Sequence, residues 1–190
     1  ISGKYILIAT GGHPFVPDVP GRELGITSNE AFHLKKLPHS ILIDGGGYVA
    51  AEFATIFSGL GVDTAIVYRG SCMLRGFDED LRRGFDAGLE ERGVRRIYET
   101  TIRGLERAGD KVLAHFSDGV DAPFGAVMFA TGRRANTAGL GLEAAGVTLN
   151  PDGSIPVDAF SMTSVPSIYA VGDVTGRLQL TPLAVREGWY

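Results

Sequence analysis

A run of three glycines at positions 45–47 separates a short apolar run from a stretch of helical length. Residues 41–43 predict a buried strand, and residues 48–60 predict a helix, because a glycine at position 61 is typical of a helix carboxyl end. Residues 65–68 predict a second buried strand. Strand, glycine turn, helix and strand therefore fall within about 30 residues, which is the size of a βαβ unit and indicates a parallel sheet.

Helices and strands alternate along most of the chain. Before the glycine turn we expect a strand, an extended proline-containing connector and one or two helical turns, at residues 5–9, 14–20 and 27–34. After it we expect a helix at residues 78–92 and a strand at residues 94–98. Three short strands should follow at residues 102–105, 112–116 and 120–124, joined by Ala-Gly-Asp and Asp-Gly turns, and then a buried strand at residues 126–130. The apolar face predicted for the first long helix consists of Val49, Phe53, Ile56 and Leu60. These elements predict an α/β fold, a Rossmann-like doubly wound parallel sheet with helices on both faces and an antiparallel meander insert.

The composition changes in the last third of the chain. Residues 136–165 are rich in Gly, Pro, Asp and Ser, so they predict surface connections leading to a short strand at residues 168–171. A helix should then begin with Thr181 as its N-cap and Pro182 at its first position. Because this helix has only one or two turns before the sequence stops, and because the sequence starts with Ile rather than Met, we expect the middle of a longer chain.

Composition and charge exclude several classes of function. A net charge of −4 offers no basic excess of the kind that nucleic-acid binding needs. The most apolar stretch, residues 41–68, contains Asp44, Glu52 and Asp63, so it does not predict a membrane span. Cys72 is the single cysteine, which excludes an internal disulfide, and the four histidines lack ligand spacing, so no metal site is predicted. No signal-peptide pattern is present, and we expect a cytoplasmic protein.

The glycine turn also matches the GxGxxA fingerprint of a dinucleotide site. The matching residues are Gly45, Gly46, Gly47, Tyr48, Val49 and Ala50. In this fingerprint the first glycine makes the sharp turn, the second lets backbone N–H groups approach a pyrophosphate, and the small sixth residue lets the helix pack closely on the sheet. The positive end of the helix dipole favours the phosphates. The sequence therefore predicts a dinucleotide site, with a purely structural glycine turn as the alternative.

The end of the second strand indicates which dinucleotide binds. An NAD site carries an acid there for the ribose 2′-OH, whereas an NADP site has an arginine nearby for the 2′-phosphate. This strand ends with Tyr68 and Arg69, and Arg75 follows six residues later. Two guanidiniums can hold one phosphate through charge-assisted bonds. We therefore predict NADPH, the alternative being that both arginines are solvated loop charges.

Asp44 does not fit this pattern. It directly precedes the first glycine, where an apolar residue is expected. A carboxylate about 6 Å from a phosphate would repel it by roughly 3 kcal/mol at an effective dielectric constant near 20. Asp44 therefore either points away from the ligand or is protonated.

Motifs spread in order over the whole chain resemble those of the flavin-dependent pyridine nucleotide-disulfide oxidoreductases. Besides the fingerprint and its continuation Ala51-Glu52-Phe53-Ala54, they are Ala9-Thr10-Gly11-Gly12, Tyr68-Arg69, Leu74-Arg75-Gly76-Phe77-Asp78, Ala130-Thr131-Gly132-Arg133, Gly139-Leu140-Gly141-Leu142-Glu143, Tyr169-Ala170-Val171-Gly172-Asp173 and Leu180-Thr181-Pro182. So many motifs in one order are far more specific than the fingerprint alone. Within the family, the chain is most similar to the members that reduce glutathione disulfide.

The resemblance implies roles for residues at the dinucleotide site. Tyr48 would cover the nicotinamide pocket over the flavin and swing away when NADPH enters, and Glu52 would lie near the nicotinamide carboxamide. The two arginines after the second strand would bind the 2′-phosphate. Gly132 and Arg133 would lie beside the dinucleotide.

The resemblance also implies part of a flavin site and a division into domains. Asp173 would bond the ribityl chain of FAD, and Thr181 would contact the flavin edge. Residues 1–135 would form the NAD(P)H-binding domain with a connecting strand, and residues 136–190 a partial FAD-domain return segment. We do not expect stable FAD binding by this sequence alone, because most of a flavin site is missing from it.

The full-length enzyme implied by the resemblance passes a hydride from NADPH to FAD, and then electrons to a cysteine pair and to glutathione disulfide. The cysteine pair and the His-Glu pair of the family are absent here, so we assign no catalytic residue and expect this sequence to be inactive by itself. The full-length protein should be a homodimer. A dihydrolipoamide dehydrogenase or mercuric reductase relative, and a stand-alone nucleotide-binding regulatory module, are the alternatives.

Overall fold

The computed structural model describes residues 2–189 and divides into two compact units. One unit is Pro14–Gly132, and the other combines Ile1–His13 with Arg133–Tyr190. The sequence predicts a division into residues 1–135 and 136–190, so the two divisions differ in the unit to which residues 1–13 and 133–135 belong.

Within residues 2–189, the two units contain eleven strands and four α-helices. In chain order they are β1 (Ile6–Ile8), β2 (Gly12–Pro14), α1 (Ser28–Ala31), β3 (Ser40–Asp44), α2 (Tyr48–Gly59), β4 (Asp63–Tyr68), α3 (Glu79–Glu91), β5 (Arg95–Tyr98), β6 (Ile102–Ala108), β7 (Lys111–Phe116), β8 (Asp121–Phe124), β9 (Ala126–Phe129), β10 (Arg133–Ala135), β11 (Ile168–Ala170) and α4 (Thr181–Glu187). Short 3-10 helices lie at Arg22–Leu24 and Gly172–Thr175. The sequence did not predict β2 and β10, which pair with each other.

The Pro14–Gly132 unit is built on a parallel sheet with the strand order β5-β4-β3-β9. Helix α2 connects β3 to β4, and α3 connects β4 to β5. The register pairs Asp44 with Val67 on one side and with Phe129 on the other, so the carboxyl ends of three strands meet at one edge. The predicted fold class, a parallel α/β sheet with an antiparallel insert, is confirmed.

The two faces of this sheet have different covers. Ile41, Ile43 and Ile66 pack in one buried cluster with residues of the α-helices. Leu42 and Val67, on the opposite face, pack in a second cluster with residues of the β6-β7-β8 meander. The expectation of helices on both faces is therefore wrong, because the apolar sides of the meander strands bury that face instead.

Helix α2 buries only part of the predicted face. Its buried residues are Ala50, Ala51, Phe53, Ala54 and Phe57. Of the predicted face, Ile56 and Leu60 are 46% and 58% exposed, so that prediction is wrong for both. The helix is apolar on nearly every side, so periodicity could not identify the buried face. The small alanines allow close approach to the sheet, which larger side chains would prevent.

The second unit has its own core beside a parallel pair of strands, β1 and β11. Its buried apolar residues are Ile8, Leu142, Val147, Ile155, Ile168, Ala170 and Val174. Helix α4 is attached to the Gly172–Thr175 helix, since the Gly172 amide donates to Glu187 Oε2 at 2.8 Å. The N-cap of α4 is Leu180 rather than Thr181, which is a correction by one residue. No helix within residues 2–189 is long and apolar enough to cross a bilayer.

Candidate functional site

The glycine turn between β3 and α2 has one closed side and one open side. Gly45 has a φ of 148°, and a Cβ atom there would overlap the carbonyl oxygen of Ala130. A Cβ atom on Gly47 would meet nothing within 4 Å. Ala50, the small sixth residue of the fingerprint, is fully buried. The turn therefore leaves open space at the amino end of α2, where a pyrophosphate needs access to backbone N–H groups.

The aromatic ring of Tyr68 fixes the middle of this turn. A Cβ atom on Gly46 would lie 2.5 Å from the ring, and one on Gly70 would lie 2.6 Å from it. Both positions therefore exclude any side chain while Tyr68 keeps this place. The fingerprint allows any residue at position 46, so sequence reasoning missed this packing requirement.

The loop after β4 is joined to the same turn by a backbone hydrogen bond. The amide of Leu74 donates to the Gly46 carbonyl at 2.6 Å. Leu74 is buried and has a φ of 56°, in the left-handed region that residues with a side chain rarely adopt. Arg75 follows directly. The loop that carries the predicted phosphate-binding arginine is thus held against the glycine turn.

Arg69 and Arg75 are both exposed. Within residues 2–189, neither guanidinium makes a hydrogen bond or an ion pair. Their donors are therefore available to an external anion. The unpaired donors and the open side of the turn fit the phosphates of an NADP-type dinucleotide.

Asp44 ends β3 directly before the turn. Its backbone carbonyl accepts from the Ala130 amide at 2.7 Å, whereas its carboxyl makes no hydrogen bond or ion pair within the part of the chain described. Burial raises the pKa of the Asp44 carboxyl from 3.8 to about 7. Near neutral pH much of the protein therefore carries an uncharged Asp44, which does not repel a phosphate.

The remaining residues predicted for this unit lie on α2 and after β9. Tyr48 and Glu52 are exposed and one helical turn apart, so they share a face, while Val49 is half-buried. A Cβ atom on Gly132 would meet nothing within 4 Å, and its carbonyl accepts from the Phe15 amide at 2.8 Å. The structure thus keeps the first two side chains accessible.

Arg133 and Asp173 form an ion pair in the second unit. Arg133 Nη2 lies 3.2 Å from Asp173 Oδ2 and donates to the Gly12 carbonyl at 2.8 Å. The two side chains are 26% and 24% exposed. The resemblance assigns these residues to different cofactors, and the structure joins them to each other. Thr181, the third residue predicted in this unit, is exposed at the start of α4.

Asn136 organises the loop after β1, and no motif signalled it. The side-chain amide of Asn136 donates to the Thr10 carbonyl at 2.9 Å, and the backbone carbonyl of Asn136 accepts from the Thr10 hydroxyl at 2.8 Å. His13 Nδ1 lies 2.6 Å from Asn136 Oδ1.

Among residues 2–189, no group of three or more His, Cys, Asp or Glu side chains could hold a metal ion.

Known proteins resemble this chain over nearly all of its length. The family model described as pyridine nucleotide-disulphide oxidoreductase matches residues 1–188. Glutathione reductase from Burkholderia cepacia is 47% identical over 99% of this chain and 42% of its own length. The chloroplastic/mitochondrial glutathione reductase of Pisum sativum is 46% identical over 98% of this chain and 34% of its own length. Trypanothione reductase from Leishmania donovani is 45% identical over 97% of this chain and 38% of its own length.

Solved structures give the same result. The HOCl-induced flavoprotein disulfide reductase RclA from Escherichia coli has a TM-score of 0.93 and 33% identity, over 98% of this chain and 43% of that chain. LpdA from Mycobacterium tuberculosis has a TM-score of 0.89 and 32% identity, over 97% of this chain and 40% of that chain. The chain thus spans well under half the length of the relatives it matches. The family resemblance predicted from the sequence motifs is confirmed.

Proposed function

Because the chain belongs to the pyridine nucleotide-disulphide oxidoreductase family, we propose that it is the NADPH-binding portion of a flavoprotein disulfide reductase of the glutathione reductase type. Glutathione reductases use FAD and NADPH. The full-length protein reduces glutathione disulfide with electrons from NADPH, and FAD is the intermediate carrier. The observation that carries the proposal is the open glycine turn hydrogen-bonded to a loop with an unpaired arginine.

The Pro14–Gly132 unit holds the dinucleotide in this proposal. The pyrophosphate would bind at the amino end of α2, next to Gly47, where the backbone N–H groups and the helix dipole favour negative charge. Arg69 and Arg75 bind the 2′-phosphate. Tyr68 stands where an NAD site would have an acid, so no carboxylate competes there for the ribose.

Residues of α2 would bind the nicotinamide end of the dinucleotide. Tyr48 and Glu52 are exposed on one side of that helix and would orient the nicotinamide ring and its carboxamide. Val49, Ala50 and Gly132 shape the surface without adding charge. NADPH, once bound, supplies a hydride. The residues of this unit bind and orient it.

The second unit contributes to the flavin site in the full-length protein. Arg133 neutralises Asp173 and fixes its carboxylate through one oxygen, which leaves the other oxygen able to accept from a ribityl hydroxyl. Thr181 would contact the flavin edge. We place no catalytic residue in this chain.

Calorimetric titration tests the dinucleotide proposal without requiring activity. The chain should bind NADP+ more tightly than NAD+. The double variant Arg69→Met with Arg75→Met should lose at least about 100-fold in NADP+ affinity, because two charge-assisted contacts are removed, and should bind NAD+ as before. Arg103→Met, which removes an exposed charge from the meander, is the matched control and should change neither affinity. Equal affinities of the unmodified protein for both dinucleotides would refute the proposal.

The substrate and assembly of the full-length protein are further parts of the proposal. Glutathione disulfide is the proposed substrate, since relatives named glutathione reductase are the most numerous among those compared above. NADPH oxidation measured with glutathione disulfide, trypanothione disulfide and lipoamide distinguishes the possible substrates. We also propose a cytoplasmic homodimer, which light scattering and cell fractionation of the full-length protein would test.

A further inference from the structure

Arg82 makes three side-chain hydrogen bonds from the first turns of α3. Its Nε donates to the Met73 carbonyl at 2.8 Å, and its Nη2 donates to the Cys72 carbonyl at 2.9 Å. Its Nη1 donates to Glu79 Oε2 at 2.8 Å. The side chain is only 19% exposed. Arg82 is thus directed at the backbone of the preceding loop rather than at solvent.

The loop that Arg82 holds is the one that carries Arg75. The two carbonyls bonded to Arg82 directly precede Leu74, whose amide bonds to the glycine turn. Leu74 has a left-handed backbone, a conformation that persists only where surrounding contacts hold it. The guanidinium on one side and the Gly46 carbonyl on the other supply those contacts.

We infer that Arg82 is a positioning residue for recognition of the 2′-phosphate, acting through the backbone of residues 72–74 to place Arg75. This inference rests on the proposed NADPH site. The Nε and Nη2 groups of Arg82 donate to carbonyls, and its Nη1 group pairs with Glu79, so Arg82 does not serve as a phosphate ligand. Its effect on NADP+ is therefore indirect, and it has no effect on a dinucleotide that lacks the 2′-phosphate.

The geometry requires arginine rather than any cation. A guanidinium presents several N–H donors in one rigid plane and can bond two successive carbonyls at once, whereas a lysine ammonium is a point charge on a flexible stem. The variant Arg82→Lys therefore keeps the charge and loses the fork. Arg83 offers a matched control: it is the next residue on α3, also pairs with Glu79, and is 72% exposed with no bond to the loop.

The experiment measures the affinities of NADP+ and NAD+ for the chain and its variants by calorimetry. Arg82→Lys should weaken NADP+ binding about tenfold and leave NAD+ binding within about twofold. Arg82→Gln, which keeps one side-chain amide donor, should give the same selective loss. Arg83→Lys should leave both affinities unchanged. Hydrogen exchange provides a readout of the loop itself, and the Leu74 amide should exchange faster in the Arg82 variants only.

The outcomes separate this inference from the proposed function. If the unmodified protein prefers NADP+ and Arg82→Lys keeps that preference, the inference is wrong and the NADPH site stands. An equal loss of NADP+ and NAD+ affinity would also overturn it, since Arg82 would then support the whole site. If the unmodified protein shows no preference, the proposed function fails, and the inference fails with it.

Discussion

Burial of Asp44 should make the stability of the protein depend on pH in a way that one substitution removes. Asp44→Asn keeps the shape of the side chain and abolishes its ionisation. The pKa of Asp44 is about 7 in the fold and 3.8 for the unperturbed carboxyl, a value taken here for the unfolded chain. Each unit of difference is worth about 1.4 kcal/mol, so an ionised Asp44 opposes folding by about 4 kcal/mol once both states are deprotonated.

Asp44 destabilises the fold only at pH values where the unfolded chain has already released its proton. Below pH 3.8 Asp44 is protonated in both states and opposes nothing. As the pH rises from 3.8 to about 7, the unfolded chain releases the proton first, so the free energy of unfolding falls. Above that range the loss is complete and constant. The stabilisation gained from Asp44→Asn should therefore be larger at alkaline pH than at acidic pH.

Urea denaturation followed by circular dichroism would measure this difference. The gain in the free energy of unfolding from Asp44→Asn should be larger at pH 8.5 than at pH 5 by about 2.5 kcal/mol. Asp110→Asn, at an exposed turn of the meander, is the control and should change stability by less than about 0.5 kcal/mol at both pH values. A gain from Asp44→Asn that is the same at both pH values would refute the reasoning.

Three further predictions concern the glycine turn and the ion pair of the second unit. Gly45→Ala should destabilise the protein by about 3 kcal/mol, because its Cβ atom would overlap the Ala130 carbonyl at a positive φ. Gly47→Ala should leave the melting temperature nearly unchanged and weaken NADP+ binding about tenfold or more, and the reverse pattern would contradict the assigned roles. A double-mutant cycle on thermal denaturation with Arg133→Met and Asp173→Asn should give a coupling energy of about 1 kcal/mol, and a coupling near zero would show that the pair is only a surface contact.

The glycine turn made much of the fold predictable. Three glycines between apolar runs specify a strand, a turn and a crossover helix, and the structure has β3, α2 and β4 at those places. The cover on each face of the sheet was not predictable in the same way. Residues such as Leu42 and Val67 are buried under either a helix or a meander, so their apolar character alone does not distinguish the two.

Side-chain geometry limited prediction of the site. Arg69 and Arg75 could be predicted, because an arginine that follows the second strand of a dinucleotide-binding unit can bind the 2′-phosphate of NADP. The contacts of Arg82 could not, since an arginine within a helix is ordinarily a solvated charge and only the folded loop shows the two carbonyls it binds. The pairing of β2 with β10 was hidden as well, because Pro14 argues against a strand in any local analysis.

The ring of Tyr68 between two glycines limits how cofactor preference can change during evolution. Position 68 is where an NAD enzyme places its acid, and here the same position fills the space over Gly46 and Gly70. Tyr68→Glu would introduce the recognition group and at the same time remove the aromatic ring that packs against both glycines. A lineage that acquires NAD specificity by this route must therefore also fill the space that the ring leaves beside both glycines. Residue 68 affects both cofactor specificity and the packing of the glycine turn, so Tyr68→Glu alone would change the first at the cost of the second.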